Sequence, residues 1–174
     1  MSQYLTFQLD GRYYGVNVEH INSVLDPQEI TPLPHVSTIV TGLTNVRGIV
    51  VPVFEPAAVL AGMRIDEGRL DSIAETAIAS ETSAYDAAAD AGLIIFEIPN
   101  GTMLQFIGIQ VDRIGKVILL DSGKMAPVPS FLPDSAAAFL EGFCYVGENR
   151  HAILNLSALV ARELLFAESG GVHG

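Results

Sequence analysis

The sequence predicts a mainly β protein in which two small barrels pack together. Three observations carry that prediction. One pattern is stated twice along the 174 residues, each statement opens on a strand, tight turn and strand, and each copy is small, about 65–75 residues. A unit of that size buries only roughly 60% of its unfolded surface if separate, so the two are expected to pack on each other.

The first copy runs YLTFQLD from Tyr4, turns at Asp10-Gly11, and continues through YGVNVEHINSVL (Tyr14 to Leu25) to ITPLP (Ile30 to Pro34). The second runs from Leu93 to Pro99, turns at Asn100-Gly101, and continues through IGIQVDRIGKVILL (Ile107 to Leu120) to MAPVP (Met125 to Pro129). Gly15 matches Gly108, Val18 matches Val111, Ile21 matches Ile114 and Val24 matches Val117, each at a separation of 93 (108 minus 15). Towards the ends the copies realign at 100 (142 minus 42): Gly42 with Gly142, Leu43 with Phe143, Val53 with Ile153, Ala58 with Ala158.

Each element has a local reason. Tyr4 to Leu9 and Tyr13 to Val18 are rich in aromatic and β-branched residues, and Asp-Gly and Asn-Gly are strong hairpin dipeptides. Val18 to Leu25 and Val111 to Val117 carry apolar residues at a spacing of three, which favours about one helical turn in each. Proline blocks helix interiors and central strands, so Pro27 to Pro34 and Pro127 to Pro133 are expected to be extended linkers. Ile49 to Phe54 is a solid apolar run after Gly48, a buried strand. Ser157, as a candidate cap, leads into a helix over Ala158 to Glu168.

Between the copies, Met63 to Gly92 departs from the repeat. It holds seven carboxylates against Arg64 and Arg69, is rich in Ala, Ser and Asp, and has one aromatic, Tyr85. It is expected to be an inserted linker, with one short helix on Leu70, Ile73, Ala74, Ala77 and Ile78 capped from Ser72 and Glu75. The expected organisation is a single domain over 1–174, with repeat units at about 4–62 and 93–165 and the acidic insertion at 63–92 between them.

Composition narrows function. Hydrophobic residues are 49% and charged residues 17% of the chain, enough for a core. The net charge of −11 repels phosphate backbones, so nucleic acid is not an expected partner. No apolar run is long enough to span a bilayer and no leader pattern opens the chain, so a soluble, unexported protein is expected. The lone Cys144 fits a reducing compartment, and between Phe143 and Tyr145 it is expected to be buried rather than nucleophilic.

Catalytic patterns are missing: no phosphate loop, no His-Glu-x-x-His, no nucleophile elbow and no paired-cysteine spacing occurs. His20, His35, His151 and His173 are scattered and are expected to be surface or boundary residues. Glu19 and Asp112, alike in the two copies, suit helix starts. No enzyme, cofactor or metal is expected. The competing class, a small-molecule-binding or hydrolytic β-barrel, would need a polar pocket with converging titratable groups.

Asn45-Val46-Arg47-Gly48 stands out because the second copy has Tyr145-Val146-Gly147-Glu148 instead. The architecture therefore tolerates loss of the arginine. Arginine is also enriched at interface hot spots, which makes Arg47 a candidate contact, against the plainer reading of a solvated turn residue with Asn45 and Gly48 serving the turn.

The passages YLTFQLDGRYYGVNVEHINSVL, ITPLP, VTGLTNVRGIVVPVFEPAAVL and GIQVDRIGKV together resemble the CheW-like domain of bacterial chemosensory signalling, over nearly all of Tyr4 to Leu165. Asn45 to Pro52 is the most specific part. The resemblance implies two intertwined, SH3-like five-stranded β-barrel subdomains with a C-terminal helix, and no catalysis. It implies an adaptor coupling the cytoplasmic helical tips of methyl-accepting chemoreceptors to the regulatory domain of a chemotaxis histidine kinase, cytoplasmic and recruited to membrane-associated receptor arrays. A parallel chemosensory pathway for surface or pilus motility is the alternative. Arg47 matches the family's signature arginine, with Asn45 and Gly48 shaping its hairpin and Val46 a neighbouring apolar position. The receptor is expected in an apolar groove between subdomains. Two departures are the insertion at 63–92 and Glu55-Pro56 where an Asp-Leu pair is common; Pro56 suits a first helical position.

Overall fold

The computed structural model describes residues 2–33, 39–56, 85, 89–121, 123, 125–132 and 134–161. In the first copy β1 (Ser2–Leu9) and β2 (Arg12–Asn17) form a hairpin in which Leu9 faces Arg12. Asp10 and Gly11 bridge it at φ +52° and +75°, the double left-handed turn that matches strand twist. A single 3-10 turn, Val18–His20, follows, capped by the Asn17 side chain accepting from the Glu19 N–H at 3.0 Å. Then Ile21–Leu25 is strand β3 rather than helix. A spacing of three does not separate a helix from a strand over so few residues, and pairing with another strand decides it.

The second copy repeats the path as β7 (Gly92–Asn100), β8 (Met103–Val111) and β9 (Arg113–Leu120), with no helical turn between β8 and β9. Its turn is Gly101-Thr102, not Asn100-Gly101, because Asn100 already pairs with Met103. Gly101 supplies the positive φ, +62°. Asp112, expected to start a helix, instead bends the chain, and its carboxylate accepts from the Asp10 N–H at 2.9 Å.

The Pro-rich passage contributes a two-residue edge strand, β4 (Thr31–Pro32), to β5 (Val40–Val46), and β6 (Ile49–Phe54) completes that hairpin. In the second copy Ala126 bridges Phe143 in the same way, against β10 (Leu140–Val146) and β11 (Asn149–Leu154). Gly42 and Gly142 are required by this contact. A Cβ on Gly42 would sit 2.2 Å from the Thr31 carbonyl oxygen, and one on Gly142 would sit 2.4 Å from that of Ala126.

The copies exchange strands. One sheet runs β10-β11-β2-β1-β9 and the other β3-β7-β8-β6-β5-β4, so each opening hairpin is flanked by strands of the opposite copy. The matches are reciprocal: Ile114 pairs with Phe7 while Ile21 pairs with Phe96, and Ile153 runs parallel to Gly15 while Val53 runs parallel to Gly108. The predicted intertwined, mainly β architecture is the one observed.

The main core joins the two sheets, with Phe7 stacked on Tyr14 at 5.3 Å and Ile94, Phe96, Ile107 and Ile109 fully buried. A smaller cluster, Val51, Val53, Leu93 and Ile95, lies on the other face of the six-stranded sheet. After a one-turn helix, α1 (Asp134–Ala137), and the last hairpin, a second helix, α2, occupies 156–161. Asn155 caps it, its Oδ1 accepting from the Ala158 N–H at 3.2 Å; Ser157, the expected cap, is already helical. Leu156, Leu159 and Val160 face the core. The expected extension to Glu168 and the helix expected within 63–92 lie outside the described residues, which include only Tyr85 and 89–92 of the insertion.

Candidate functional site

Val46 faces Ile49 across the β5-β6 hairpin, which leaves Arg47 and Gly48 alone at its tip. Both have positive φ, +54° and +86°. Asn45 locks the turn, its Oδ1 accepting from the Gly48 N–H at 2.8 Å. In the other copy Val146 faces Asn149 in the same register, and the residue matching Arg47 is Gly147, at φ +61°. The turn thus demands a left-handed residue, glycine supplies it without strain in one copy, and arginine holds it in the other. For a non-glycine residue that conformation costs about 1–2 kcal/mol.

Strand alternation puts Val46, Ile49 and Val51 on one side of the hairpin. With Leu25 of β3, Ile95 of β7 and Phe106 of β8 they line a groove of about 250 Å³ whose rim carries Arg47, Asn22 and Ser23. The groove is the open end of the smaller core. Ile49 of its lining remains 51% exposed, a large apolar group next to an exposed cation, while Val50, 59% exposed, points to the other side of the hairpin, so the run expected to be a buried strand is exposed at its start. All of its lining belongs to the six-stranded sheet and the turn of its hairpin, whereas Ile94, Phe96, Ile107 and Ile109 belong to the main core joining the sheets.

Of the residues singled out in the sequence, Asn45, Val46, Arg47 and Gly48 come together here, with Val46 and Arg47 lining the groove and Asn45 and Gly48 setting the turn. Leu25, Ile95 and Phe106 were not legible as partners of Arg47. They arrive from strands 22 or more positions away that only the exchange makes neighbours.

The titratable groups are arranged for burial. Cys144 and His151 face each other in register and are both fully buried. Burial pushes the thiol up to about 12 and the imidazole down to about 4, so both stay neutral near pH 7. Cys144 is buried as expected. His151 is no surface residue: its Nδ1 is 3.0 Å from the Asn149 carbonyl oxygen and its Nε2 is 3.1 Å from the Tyr85 hydroxyl. A donating Nδ1–H leaves Nε2 to accept from the phenol. His20 is partly exposed, near Glu19 at 3.3 Å, and His35 and His173 lie outside the described residues. Glu55, at the end of β6, is pushed up to about 7 by burial first and then by the Asp10 and Asp112 carboxylates. Among the described residues no three His, Cys, Asp or Glu side chains could hold a metal ion.

The family model for the CheW-like domain matches residues 3–164. The chain belongs to the CheW-like domain family. Its relatives include the chemotaxis protein CheW of Klebsiella aerogenes, 21% identical over 92% of this chain and 82% of that one, and that of Treponema pallidum, 22% identical over 94% and 84%. The CheW of Thermotoga maritima is 35% identical over a shorter stretch, 40% of this chain and 45% of its own. The solved scaffolding protein TtCheW from Thermoanaerobacter tengcongensis has the same fold, with a TM-score of 0.60 at 22% identity over 88% of each chain. CheW-like proteins are chemotaxis scaffolds, and the mainly β two-sheet form of this chain is theirs. No helix among the described residues is long and apolar enough to cross a membrane.

Proposed function

We propose that this chain is a non-catalytic adaptor that couples the cytoplasmic tips of chemoreceptors to the regulatory domain of a chemotaxis histidine kinase. The observation that carries the reading is the strained arginine. Arg47 holds a left-handed conformation that the repeat satisfies with glycine, on the rim of an apolar groove whose lining includes the exposed Ile49. Asp10 holds the same conformation in its own turn, but aspartate is among the residues that tolerate it and arginine is not, which is what singles out Arg47 as a side chain kept for contact. A guanidinium beside apolar surface suits a partner that presents an apolar side chain next to a carboxylate.

In this reading Arg47 makes the contact, Val46 supports it from the groove, and Asn45 and Gly48 fix the turn. Neither nucleic acid nor the bilayer is bound directly, in keeping with a net charge of −11. The protein works in the cytoplasm and is drawn to membrane-associated arrays by its partners. Co-sedimentation with receptor signalling fragments and the kinase regulatory domain tests the proposal. Arg47→Ala should weaken co-sedimentation and kinase activation, and unchanged assembly with unchanged activation would remove Arg47 from the interface. Recovery of a receptor from a motility pathway based on pili would move the adaptor to that parallel pathway.

A further inference from the structure

The duplication gives every residue of the groove beside Arg47 a counterpart in the five-stranded subdomain. Val51 corresponds to His151 (151 minus 51 is 100), Phe106 to Tyr13 (106 minus 13 is 93), and Ile95 to Thr6. The last follows from the hairpin registers, since Ile95 faces Gly108 as Thr6 faces Gly15. Three apolar walls in one subdomain are therefore three polar or aromatic walls in the other. That second position is not open.

Tyr85, from the insertion, fills it. Its ring stacks on His151 with centroids 5.9 Å apart and 11° between planes, lies 5.5 Å from the Tyr13 ring, and has the Arg113 guanidinium carbon 5.2 Å from its centroid. Its hydroxyl meets His151 Nε2 at 3.1 Å, with the Thr6 hydroxyl beside it. The imidazole is itself aimed, because Nδ1 is 3.0 Å from the Asn149 carbonyl oxygen. A fully buried His151 with one ring nitrogen fixed by the backbone leaves the other nitrogen as an acceptor in a ring-shaped slot. The chemistry of the walls is that of a phenol site: flat faces for the ring, an acceptor for its O–H, and a cation over its π surface.

We propose that the five-stranded subdomain carries a phenol-binding pocket whose resident ligand is Tyr85 of the insertion, in the place that stands open as the groove beside Arg47 in the six-stranded subdomain. Tyr85 acts as a tethered ligand. Of these two related positions one is filled and, among the described residues, the other is open, and the two differ in kind: the filled pocket selects a tyrosyl side chain, the open groove an aliphatic or unsubstituted aromatic one. This goes beyond the adaptor reading and stands without it, since the pocket and its occupant lie in the other subdomain.

The test uses the full chain with Tyr85→Ala and p-cresol as the probe, read by calorimetry and by the ring resonances of His151. One equivalent of p-cresol should bind the variant and move the His151 signals, toluene should bind about fivefold more weakly for want of the hydroxyl hydrogen bond, and the wild type should show no response at His151. Adding His151→Val, the residue type its counterpart Val51 supplies, should erase the preference for p-cresol over toluene. If the alanine variant does not fold, Tyr85→Phe keeps the ring and removes the hydroxyl, and its His151 Nε2 resonance should shift relative to wild type. A folded Tyr85→Ala that ignores p-cresol, equal binding by the wild type, or an unmoved Nε2 resonance in Tyr85→Phe would each overturn the assignment.

Discussion

Replacing Arg47 by glycine should make the protein more stable and less able to bind. At φ +54° the arginine pays about 1–2 kcal/mol for a left-handed backbone that glycine adopts freely, as Gly147 does at +61° in the matching turn. Glycine also gains about 0.5–1 kcal/mol of unfolded-state freedom, which offsets part of that relief. The net expectation is a gain of roughly 0.5–1 kcal/mol, or about 1–4 °C in Tm for a chain of this size. No packing is lost, because the side chain is exposed. Binding should move the other way, by about 2 kcal/mol or some thirtyfold in Kd for a hot-spot arginine. Thermal unfolding, with titration against the receptor fragment and the kinase regulatory domain, reads both. A variant that is destabilised refutes the strain argument; one that binds both partners like wild type refutes the functional reason for the strain. Arg47→Ala separates the two, since it keeps the strain and loses the contact.

Gly142→Ala should cost about 3 kcal/mol or more by denaturant unfolding, because its Cβ would meet the Ala126 carbonyl oxygen at 2.4 Å and backbone must move; Gly48→Ala, with nothing within 4 Å, should cost only the roughly 1–2 kcal/mol of its positive φ. Glu55→Gln should change the pH dependence of stability. The native carboxyl titrates at about 7 rather than 4.5, so the folded state holds its proton more tightly, and stability falls as pH rises from about 4.5 through about 7. That rise corresponds to at most about 3 kcal/mol, reduced to about 1–2 by its partial exposure, so the glutamine variant should match wild type near pH 4 and exceed it by about 1–2 kcal/mol at pH 8. Equal pH profiles would refute the burial of that charge. Cys144, buried and with its thiol pushed up to about 12, should resist alkylation at neutral pH until the chain unfolds, so rapid labelling of native protein would show that β10 opens locally.

Much of the fold was legible because the duplication supplied two independent readings of each element. Asp10-Gly11 marks its turn through the left-handed preference of both residues. Asn100-Gly101 pointed one residue short of the true turn, because the second hairpin carries extra pairs and its register is fixed along the whole ladder rather than at the dipeptide. Val18 to Leu25 suggested about one helical turn from within the chain; Val18–His20 is that turn, and Ile21–Leu25 is a strand because Ile94 and Phe96 of the other copy lie beside it. His151 looked peripheral for the same reason. Nothing near it in sequence shows that Tyr85 and Tyr13 close over it.

The site divides along the same line. The motif Asn45 to Gly48 was visible as a break between copies, and its turn chemistry is local: a side-chain oxygen three residues before a glycine. The groove it borders was not visible, because Leu25, Ile95 and Phe106 come from β3, β7 and β8, which the chain alone gives no reason to place around one hairpin. By itself the sequence determined the two opening hairpins and the Ile49–Phe54 strand, the repeat, the family and the singular arginine, all of which depend on residue type and short spacing. The tertiary structure decided which copy each strand joins and, among the described residues, which of two related openings is filled and which is open. Those depend on pairing between strands distant in sequence, and only folding brings their side chains within reach of each other.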